Sequence, residues 1–379
     1  MKIVHVITRL ILGGAQENTI LTCEGLARRG HEVVLVTGPA LGPEGELMTR
    51  ARVGGYELVV LDDLRREISP SRDWRSYRQI RRLLAGRRPD VMHSHSSKAG
   101  ILARQAASDV GSMCVVHTIH GLPFHPYQSA WVNRGYIALE RRAARQSHAL
   151  ISVADAMTHQ ALAAGVGWPE LYTTIHSGME VAPYRTRPPE ADAFRASLNL
   201  PPAAVLVTQV SRLAELKGHE YIIEAARGID QRVHFCFVGD GVLRGEILRR
   251  INSAGLAGRF HLTGLLPPTQ IPAVMHASDI LIHCSLREGL ARALPQAMLA
   301  AKPVVSFDVD GAREVVDAAT GILLGPRDTA GLQGAINTLA GDGALREKLG
   351  ATGRDRATTM FDHNRMVDRI EALYRQLSI

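Results

Sequence analysis

The sequence predicts two doubly wound α/β domains, each built around a parallel β-sheet. The chain has 379 residues, and because a domain typically holds ~100–200 residues, this length suits two domains with a full core each. Short apolar runs alternate with longer amphipathic stretches in both halves, as in parallel strands joined by helices. Between the halves, Pro183, Pro188 and Pro189 fall within seven residues, and such a stretch is typical of a linker.

The apolar runs of the first half predict six strands. The first is followed by a helical stretch from about Gln16 to Arg29, which Gly30 ends. Near-continuous valine and isoleucine, bounded by glycine and proline, indicate strands that are buried on both faces and therefore belong to a parallel sheet. The six predicted strands are residues 2–8, 31–38, 56–61, 89–95, 114–120 and 148–154.

The second half repeats this pattern and predicts five further strands. These are residues 204–211, 233–240, 260–264, 279–285 and 302–308. Ligands of doubly wound sheets bind outside the carboxyl ends of the strands. The residues that directly follow each strand are therefore the candidates for a functional site.

Composition excludes several classes of protein. The chain is 46% hydrophobic and 21% charged, with a mean hydropathy of −0.01, which is ordinary for a globular protein and excludes disorder. No apolar run approaches the ~18–20 residues of a membrane-spanning helix, and Met1 leads directly into a strand-like run rather than a signal peptide. The four cysteines are scattered without a C-x-x-C pair, which favours reduced thiols in a cytoplasmic protein and argues against a zinc site.

The net charge of +7 is concentrated in the first half. Residues 1–185 contain 22 Lys and Arg against 16 Asp and Glu, whereas residues 186–379 contain 22 against 21. One predicted helix and its exit carry six arginines, which form either a solvated helix face or a surface for a phosphate-bearing partner or an anionic membrane. Nucleic acid is disfavoured, since only 5% of residues are aromatic and no nucleic-acid-binding motif is present. The six are Arg75, Arg78, Arg81, Arg82, Arg87 and Arg88.

Glycines follow several of the predicted strands. Gly13 and Gly14 come after the first strand and before a helix, without the G-x-G-x-x-G spacing of a dinucleotide site. They form either an ordinary tight turn or a loop whose backbone approaches an anionic ligand. Val238-Gly239-Asp240-Gly241 and Thr263-Gly264 follow two later strands, and each is a weak signal alone.

Charged residues at two strand exits of the second half are more informative. Arg212 and Lys217 lie five residues apart after the strand at 204–211, where they are either surface charges or a pair that holds a diphosphate. Glu288 and Gly289 open the helix that contains Pro295. A carboxylate at a helix entrance can accept hydrogen bonds from hydroxyl groups while the helix N–H groups meet anionic oxygens.

Taken together and in this order, these motifs resemble those of the retaining glycosyltransferases of family 4. The resemblance covers nearly the whole chain, through the Gly-Gly loop, Arg212…Lys217-Gly218, Val-Gly-Asp-Gly, the run from Ala277 to Ser285, and Glu288-Gly289. It implies two Rossmann-like domains facing across a cleft (the GT-B architecture) and transfer of a sugar from a nucleotide-diphosphate donor with retention at the anomeric carbon. It also implies that the last helix, about Arg365 to Leu377, returns to the first domain. The expected domains are therefore residues 1–185 plus 362–379 on the acceptor side, and 186–361 on the donor side.

The resemblance also implies roles for individual residues. Arg212 and Lys217 would hold the diphosphate and stabilise the charge that develops on it as it leaves, while Glu288 would hold sugar hydroxyls. His120, in His-Thr-Ile-His-Gly, matches the histidine that lies near the donor sugar and the acceptor in the family. The two cations take the place of a metal ion, so no metal and no cofactor is expected. The remaining donor-binding residues would be Gly14, Gly241, Gly264, Leu265, Gly289, Leu290, Ala291 and Gln296.

Gln296 departs from the family pattern. The family pairs two glutamates with seven residues between them, and the second usually accepts hydrogen bonds from the nucleotide ribose. Glutamine at position 296 keeps a carbonyl acceptor but loses the charge. We expect weaker or altered donor binding rather than loss of the chemistry.

The acceptor side is predicted from two segments rich in histidine and hydroxyl groups, residues 93–100 and 117–125. They resemble family members that build bacterial surface polysaccharides or lipid-linked oligosaccharides. We expect His95, Ser97 and Lys98 to contact the acceptor, Lys98 through a phosphate. His93 and His117 are either acceptor contacts or satisfied core residues, and a metal cluster is a further alternative that no carboxylate supports.

No residue lies in a recognisable nucleophile motif, so retention would require departure and attack on the same face of the sugar. The chain is therefore interpreted as a metal-independent glycosyltransferase that moves a hexose or N-acetylhexosamine from a nucleotide sugar to a lipid-linked or polysaccharide precursor. The resemblance implies that this nucleotide sugar is a UDP-sugar. The protein would work in the cytoplasm, with transient contact to the inner face of the membrane. The alternatives are a nucleotide-sugar 2-epimerase on the same scaffold and a non-catalytic nucleotide-sugar-binding relative. A nicotinamide oxidoreductase is disfavoured because its glycine spacing is absent.

Overall fold

The computed structural model describes residues 1–41 and 45–377. The chain forms two compact units, one comprising Met1–Met179 with the segment from His363 onward, the other Glu180–Asp362. Each unit contains one sheet whose strands all run parallel. The predicted fold class, two parallel-sheet α/β domains, is confirmed.

The first unit has a seven-stranded sheet in the order β3-β2-β1-β4-β5-β6-β7. Helices α1 and α2 bury apolar side chains on one face of the sheet, and α3 and α4 bury theirs on the other. The valine- and isoleucine-rich strands are covered on both sides for this reason. The elements are β1 (Lys2–Arg9), α1 (Gly14–Arg28), β2 (Glu32–Gly38), α2 (Met48–Arg52), β3 (Glu57–Val60), α3 (Pro70–Arg87), β4 (Val91–His95), α4 (Ser97–Val110), β5 (Cys114–Ile119), α5 (Ala130–Ala144), β6 (Ala149–Ser152), α6 (Asp155–Ala163) and β7 (Tyr172–Thr174).

The second unit has a six-stranded sheet in the order β10-β9-β8-β11-β12-β13. Its larger core cluster lies between the sheet and α9, α10 and α14, and a smaller cluster lies under α8 and α11. The elements are α7 (Ala182–Arg185), α8 (Glu190–Ser197), β8 (Val205–Val210), α9 (His219–Ala226), β9 (Val233–Val238), α10 (Arg244–Ser253), β10 (Phe260–Gly264), α11 (Ile271–Ala277), β11 (Ile280–His283), α12 (Ala293–Leu299), β12 (Val304–Phe307), α13 (Ala312–Val315), β13 (Gly321–Leu324), α14 (Thr329–Gly341) and α15 (Gly343–Met360).

The last helix, α16 (His363–Leu377), packs within the first unit. It lies against α1, where Gly25 leaves space for Val367: a Cβ at Gly25 would be only 2.7 Å from the Val367 Cγ2 atom. The buried Tyr374 hydroxyl of α16 is hydrogen-bonded to Nδ1 of His93 in β4. Of the segment 362–379 that the sequence analysis assigned to the first domain, Ser378 and Ile379 lie outside the described residues.

The proline-rich stretch at 183–189 is part of the second unit rather than a free linker. Pro183 lies in α7, and the neighbouring Tyr184 is buried. The carbonyl oxygen of Tyr184 accepts a hydrogen bond from His276 Nε2 at 3.0 Å, which ties this stretch to the second unit. Two strands were not predicted from the sequence, β7 and β13, and each lies at the edge of its sheet. Among the described residues, no helix is long and apolar enough to cross a membrane.

Candidate functional site

The predicted donor residues gather where the strand order of the second sheet reverses. The chain leaves β8 toward β9 and β10 on one side, whereas β11 and β12 lie on the other. At such a point the loops after the two central strands diverge and leave a crevice at the carboxyl ends, where doubly wound folds bind their ligands. Arg212 and Lys217 follow β8, and Glu288 follows β11.

The loop after β8 is held against the loop after β11 by a glycine. Gly218 has φ of +74°, and a Cβ there would lie 1.9 Å from the carbonyl oxygen of Cys284. Only glycine fits this left-handed, closely packed position. The Leu286 N–H also donates to the carbonyl oxygen of Leu216 at 2.8 Å. Lys217 is therefore fixed between two residues that touch the β11 loop.

Lys217 and Glu288 form an ion pair, with Nζ 2.5 Å from Oε1 and side chains 17% and 20% exposed. His283, at the end of β11, places its Nε2 3.2 Å from the same carboxylate oxygen. Burial of the Glu288 carboxyl raises its pKa, but the Lys217 ammonium and the His283 imidazole outweigh burial and hold the pKa well below its usual value. Glu288 is therefore a carboxylate, able only to accept hydrogen bonds.

Arg212 differs from Lys217 in being exposed. Within the described residues its guanidinium has no ion-pair or hydrogen-bond partner, so its five N–H donors are available to a ligand. Arg212 and Lys217 follow β8 and Glu288 follows the neighbouring strand β11, so the ends of two adjacent strands supply cations and a carboxylate. Cations suit the anionic part of a ligand, and a carboxylate can accept hydrogen bonds from its hydroxyl groups.

An aspartate pair lies beside this loop. Asp308 and Asp310 have the Asp-x-Asp spacing, but both are engaged: Asp308 pairs with Arg313, and Asp310 Oδ2 accepts the Glu288 N–H at 2.6 Å. Asp310, which follows β12, thereby anchors the backbone of Glu288, which follows β11.

Gln209 is a site residue that the sequence analysis missed. This buried amide near the end of β8 donates from Nε2 to Ser211 Oγ and to the carbonyl oxygen of Lys217, both at 3.0 Å, and its Oε1 accepts from Cys284 N–H at 3.4 Å. It therefore joins the two loops that carry Lys217 and Glu288. A polar amide inside the apolar run AVLVTQVS was the available signal, as was His283 at the end of ILIH.

The other predicted donor residues of the second unit lie at or after the ends of β9, β10 and β11 and in α12. Gly241 packs its backbone against the loop after β8, where a Cβ would lie 2.3 Å from the Leu213 carbonyl oxygen. Gly264 has φ of +75° and accepts the Gly239 N–H at 3.0 Å, while Leu265 beside it is 43% exposed. The segment Gly289, Leu290 and Ala291 is buried and precedes α12, in which Gln296 is half-buried.

The first sheet has the same kind of reversal, between β1 and β4. Gly14 is exposed and begins α1 after β1. A cavity of about 240 Å³ lies at the carboxyl ends of β4 and β5. Its lining includes Ala15, Ser96, Ser97, Thr118 and His120, so two predicted residues, Ser97 and His120, face one space.

Two predicted acceptor contacts are placed differently from expectation. Lys98 is already paired, with Nζ 2.5 Å from Asp73 Oδ1 and a further bond to the Glu67 carbonyl oxygen. His95 is completely buried and cannot touch an acceptor directly. Its Nε2 lies 3.0 Å from His5 Nδ1, and its Nδ1 lies 3.1 Å from His120 Nε2, so it reaches the cavity only through His120.

His93 is a satisfied core residue, one of the two alternatives considered above, whereas His117 is almost fully buried but also lines the cavity. His93 bonds to Tyr374 and, at 2.7 Å, to Thr118 Oγ1, and His117 Nδ1 lies 2.9 Å from Ser94 Oγ. Burial lowers the pKa of His5 to about 3 and those of His93, His95 and His117 well below the usual value. These imidazoles are neutral at physiological pH.

Three of the histidines could be considered as metal ligands. Ring nitrogens of His5, His93 and His95 lie within 4.8 Å of one another. Both nitrogens of His93 and both of His95 are already hydrogen-bonded, and a metal would have to displace those bonds. The hydrogen-bonded arrangement accounts for their geometry without an ion.

The fold defines a class of protein, the two-domain α/β proteins in which the strand order of each parallel sheet reverses. Residues 13–178 match the family model described as "Glycosyl transferase 4-like domain", and residues 190–356 match "Glycosyl transferases group 1". The two matches together span both units. The chain belongs to the GT-B glycosyltransferases of the family 4 type and is a transferase.

One relative with a named activity extends this similarity over nearly the full length, and another matches about half of the chain. The chain is 27% identical over 381 residues to the UDP-Gal:alpha-D-GlcNAc-diphosphoundecaprenol alpha-1,3-galactosyltransferase of Escherichia coli, covering 99% of this chain and 96% of that one. It is 34% identical over 194 residues to the 2-deoxystreptamine N-acetyl-D-glucosaminyltransferase of Streptomyces fradiae, covering 47% and 46%. The structure of Anabaena Alr3699/HepE in complex with UDP and glucose shares the fold, with a TM-score of 0.85, 22% identity and coverage of 99% and 100%.

Proposed function

We propose that the chain is a retaining glycosyltransferase that moves a hexose or N-acetylhexosamine from a UDP-sugar to a lipid-linked or polysaccharide precursor, without a metal ion. The observation that carries this proposal is the Lys217–Glu288 pair, 2.5 Å apart, beside the exposed Arg212 at the point of strand reversal. A diphosphate needs cations and a sugar needs hydroxyl acceptors, and this site supplies both within one unit.

The donor would exchange partners with the ion pair as it binds. Arg212 and Lys217 would meet the diphosphate, and Glu288 would turn from the ammonium to the sugar hydroxyls. The uridine is supported by two comparisons, the E. coli relative named for UDP-Gal and the Anabaena structure that holds UDP and glucose. Gln296 would offer a neutral carbonyl acceptor to the ribose.

Transfer with retention would then proceed on one face of the sugar. The bond from the anomeric carbon to the diphosphate oxygen breaks, the acceptor hydroxyl oxygen bonds to the same face, and its proton passes to the leaving diphosphate. Arg212 and Lys217 would stabilise the negative charge that develops on the leaving group. Glu288 is held as a carboxylate by Lys217 and His283, a role that fits hydroxyl binding better than proton donation.

A lipid-linked acceptor is supported by the E. coli relative, whose name specifies a diphosphoundecaprenol acceptor. It is also supported by the outer face of α5. Trp131, Val132 and Leu139 are 79%, 45% and 47% exposed, and the Arg134 guanidinium lies 5.1 Å above the Trp131 ring. Exposed apolar side chains among arginines are typical of helices that lie on anionic bilayers.

The basic surface predicted on α3 is partly neutralised. Arg75 pairs with Asp63 at 2.8 Å and Arg87 with Glu57 at 2.5 Å. On α5 the single acid, Glu140, is buried, so the arginines there face no neighbouring carboxylate on their own helix. Of the two helices we therefore assign membrane contact to α5.

The first experiment measures thermal unfolding of the full chain with UDP, UDP-galactose, UDP-glucose, UDP-N-acetylglucosamine, GDP-mannose and NAD⁺. All tryptophans lie before residue 180, so far-UV circular dichroism is used, because tryptophan fluorescence would not report the donor unit. A ligand at ~100 times its Kd stabilises the folded state by ~2.7 kcal/mol. We expect UDP and one UDP-sugar to raise the Tm.

Matched variants locate the effect. Arg212→Leu and Lys217→Met should abolish the UDP-induced shift. Arg232→Leu removes an exposed arginine at the amino end of β9, where it pairs with Asp230, and should leave the shift unchanged. No shift with any nucleotide contradicts the proposed donor site.

Turnover separates the remaining alternatives. UDP release that requires an N-acetylglucosamine-diphosphate lipid supports the proposed transferase, and NMR of the product's anomeric proton reports retention. UDP release without any acceptor would indicate the 2-epimerase. A nucleotide-induced shift without release under either condition would indicate a non-catalytic relative, with Gln296→Glu as the first variant to restore activity.

Membrane contact is tested by sedimentation with vesicles of phosphatidylglycerol or of phosphatidylcholine. We expect binding to the anionic vesicles only, and its loss in Trp131→Ala. Trp168→Ala is the control, because Trp168 is another exposed tryptophan of the same unit, 46% exposed, and lies outside α5. Equal binding by both variants, or a dimer in solution that Trp131→Ala dissolves, would contradict the assignment to a membrane.

A further inference from the structure

Three imidazoles form a hydrogen-bonded chain from the core of the first unit to its cavity. His5 Nδ1 lies 3.0 Å from His95 Nε2, and His95 Nδ1 lies 3.1 Å from His120 Nε2. His5 and His95 are completely buried, and His120 lines the cavity. The rings are close to parallel, with interplanar angles of 17° for the first pair and 28° for the second.

The connectivity of this chain restricts where its protons can be. A neutral imidazole carries one N–H donor and one acceptor nitrogen. If His95 carries its proton on Nδ1, it donates to His120 and must accept from His5 Nδ1, so all three rings are Nδ1–H tautomers. If His95 carries its proton on Nε2, it donates to His5 and accepts from His120 Nε2, so all three are Nε2–H tautomers. Mixed arrangements break a bond or oppose two protons.

We propose that His5 and His95 are positioning residues for His120: when uncharged, the three rings share one tautomer, and that tautomer decides whether His120 Nδ1 donates or accepts a hydrogen bond. A residue in the first strand thereby acts on the cavity through two rings. The consequence for sugar transfer rests on the proposed function, whereas the coupling of tautomers does not.

Burial keeps the imidazoles of His5 and His95 uncharged. Burial lowers the pKa of His5 to about 3 and that of His95 well below its usual value, and the neighbouring imidazoles lower the His95 pKa further. The charged groups on the adjacent helices compensate each other, since Arg104 of α4 and Glu140 of α5 form a buried ion pair at 2.7 Å. His5 and His95 are therefore neutral, as the tautomer argument requires of the two buried rings.

The second ring nitrogen of His5 gives independent support for this hydrogen-bonded arrangement. Within the described residues its Nε2 is buried and has no hydrogen-bond partner. A buried imidazole nitrogen without a partner costs about 1–3 kcal/mol, which an apolar residue in the middle of β1 would avoid. Histidine at position 5 is explained if its other nitrogen, Nδ1, serves His95.

The test is ¹⁵N NMR of the full chain labelled in histidine, at pH 7.5, where the two ring nitrogens of each tautomer have distinct shifts. Single variants His5→Phe, His95→Phe and His120→Phe assign the signals, and His5→Asn replaces His5→Phe if the latter does not fold. We expect His5, His95 and His120 to show the same tautomer. Different tautomers among the three overturn the proposal.

Two further measurements sharpen the result. In His95→Phe the link is cut, and the His120 ring shifts should move by more than the shifts of histidines elsewhere. His234→Phe is the matched control, because it removes a similar half of a histidine pair, with His234 Nδ1 3.2 Å from His261 Nε2 in the other unit. It should leave His120 unchanged. Unmoved His120 shifts in His95→Phe, or equimolar ZnCl₂ that shifts the three rings by coordination, would overturn the coupling.

Discussion

Removing the Lys217 ammonium perturbs the Lys217–Glu288 ion pair at the proposed donor site. Lys217→Met keeps most of the stem, and Glu288→Gln keeps the shape of the partner. Nζ and Oε1 are 2.5 Å apart, and the side chains are only 17% and 20% exposed. Breaking a buried pair costs ~3–5 kcal/mol and breaking an exposed one ~0–1. Because this pair is mostly buried, we expect about 1–3 kcal/mol for either single substitution.

The double variant measures the interaction itself. Each single variant leaves an unsatisfied partner, whereas the double variant leaves neither, so its loss of stability should be smaller than the sum by about 1–2 kcal/mol. The free energies come from urea unfolding without nucleotide, followed by far-UV circular dichroism. The exposed pair Arg232–Asp230, with side chains 55% and 38% exposed, is the control cycle and should couple by less than about 0.5 kcal/mol.

A coupling energy for Lys217 and Glu288 as small as that of the control would refute the reasoning. It would mean that the pair does not exist in the free protein, and that Glu288 is held by His283 alone. Saturating UDP should instead reduce the coupling of the wild-type pair, because the diphosphate then competes for Lys217. Turnover of Lys217→Met should fall by ~10²–10³, the effect of removing one group that stabilises a developing charge.

Four further predictions follow from the same structure. Gly218→Ala forces a Cβ to 1.9 Å from the Cys284 carbonyl oxygen and should destabilise the second unit by more than the ~1 kcal/mol of a left-handed alanine, so an unchanged Tm would contradict the packing. Gln209→Leu should lower turnover more than stability, since both loops lose their common hydrogen-bond partner; equal kcat in the two proteins speaks against this. Gln296→Glu should keep or tighten UDP-sugar binding in calorimetry, and a weaker Kd would show that the amide is needed as a donor. Acidification from pH 6.5 toward 5 should destabilise the first unit, because its buried histidines have lowered pKa values when folded but bind protons when unfolded; each contributes up to ~1.4 kcal/mol per pH unit, tryptophan fluorescence reports the loss, and constant stability over this range would be the contrary result. These histidines are His5, His93, His95 and His117.

The strands that the sequence identifies well are those buried on both faces. Runs such as VVLV in β2 or VHFCFV in β9 are covered by helices on each side, so nearly every position is apolar. The missed strands β7 and β13 lie at sheet edges, have only three and four residues, and are mostly half-buried. An edge strand does not need a continuous apolar run, so its sequence carries little signal.

The sequence predicted which residues lie at the ends of the strands, but not which side chains they contact. Polar groups after parallel strands indicated Arg212, Lys217 and Glu288, because the sheet topology alone brings strand ends together. That Lys98 is bound by Asp73, and that His95 is sealed beneath His120, depends on side-chain packing between elements distant in sequence. Spacing along the chain does not encode that packing.

The two candidate sites differ in their electrostatics. The first unit holds neutral imidazoles in a desolvated chain, where a proton can change position but a net charge is costly. The second holds a carboxylate and an ammonium that compensate each other, with Arg212 left exposed. A diphosphate that draws Lys217 away would replace one ion pair by another, so little electrostatic energy is lost on binding, and it would free Glu288 for hydroxyl groups at the same moment. A neutral sugar offers Lys217 no such exchange. We therefore expect the pair to favour ligands that carry both a diphosphate and a sugar over ligands that carry a sugar alone.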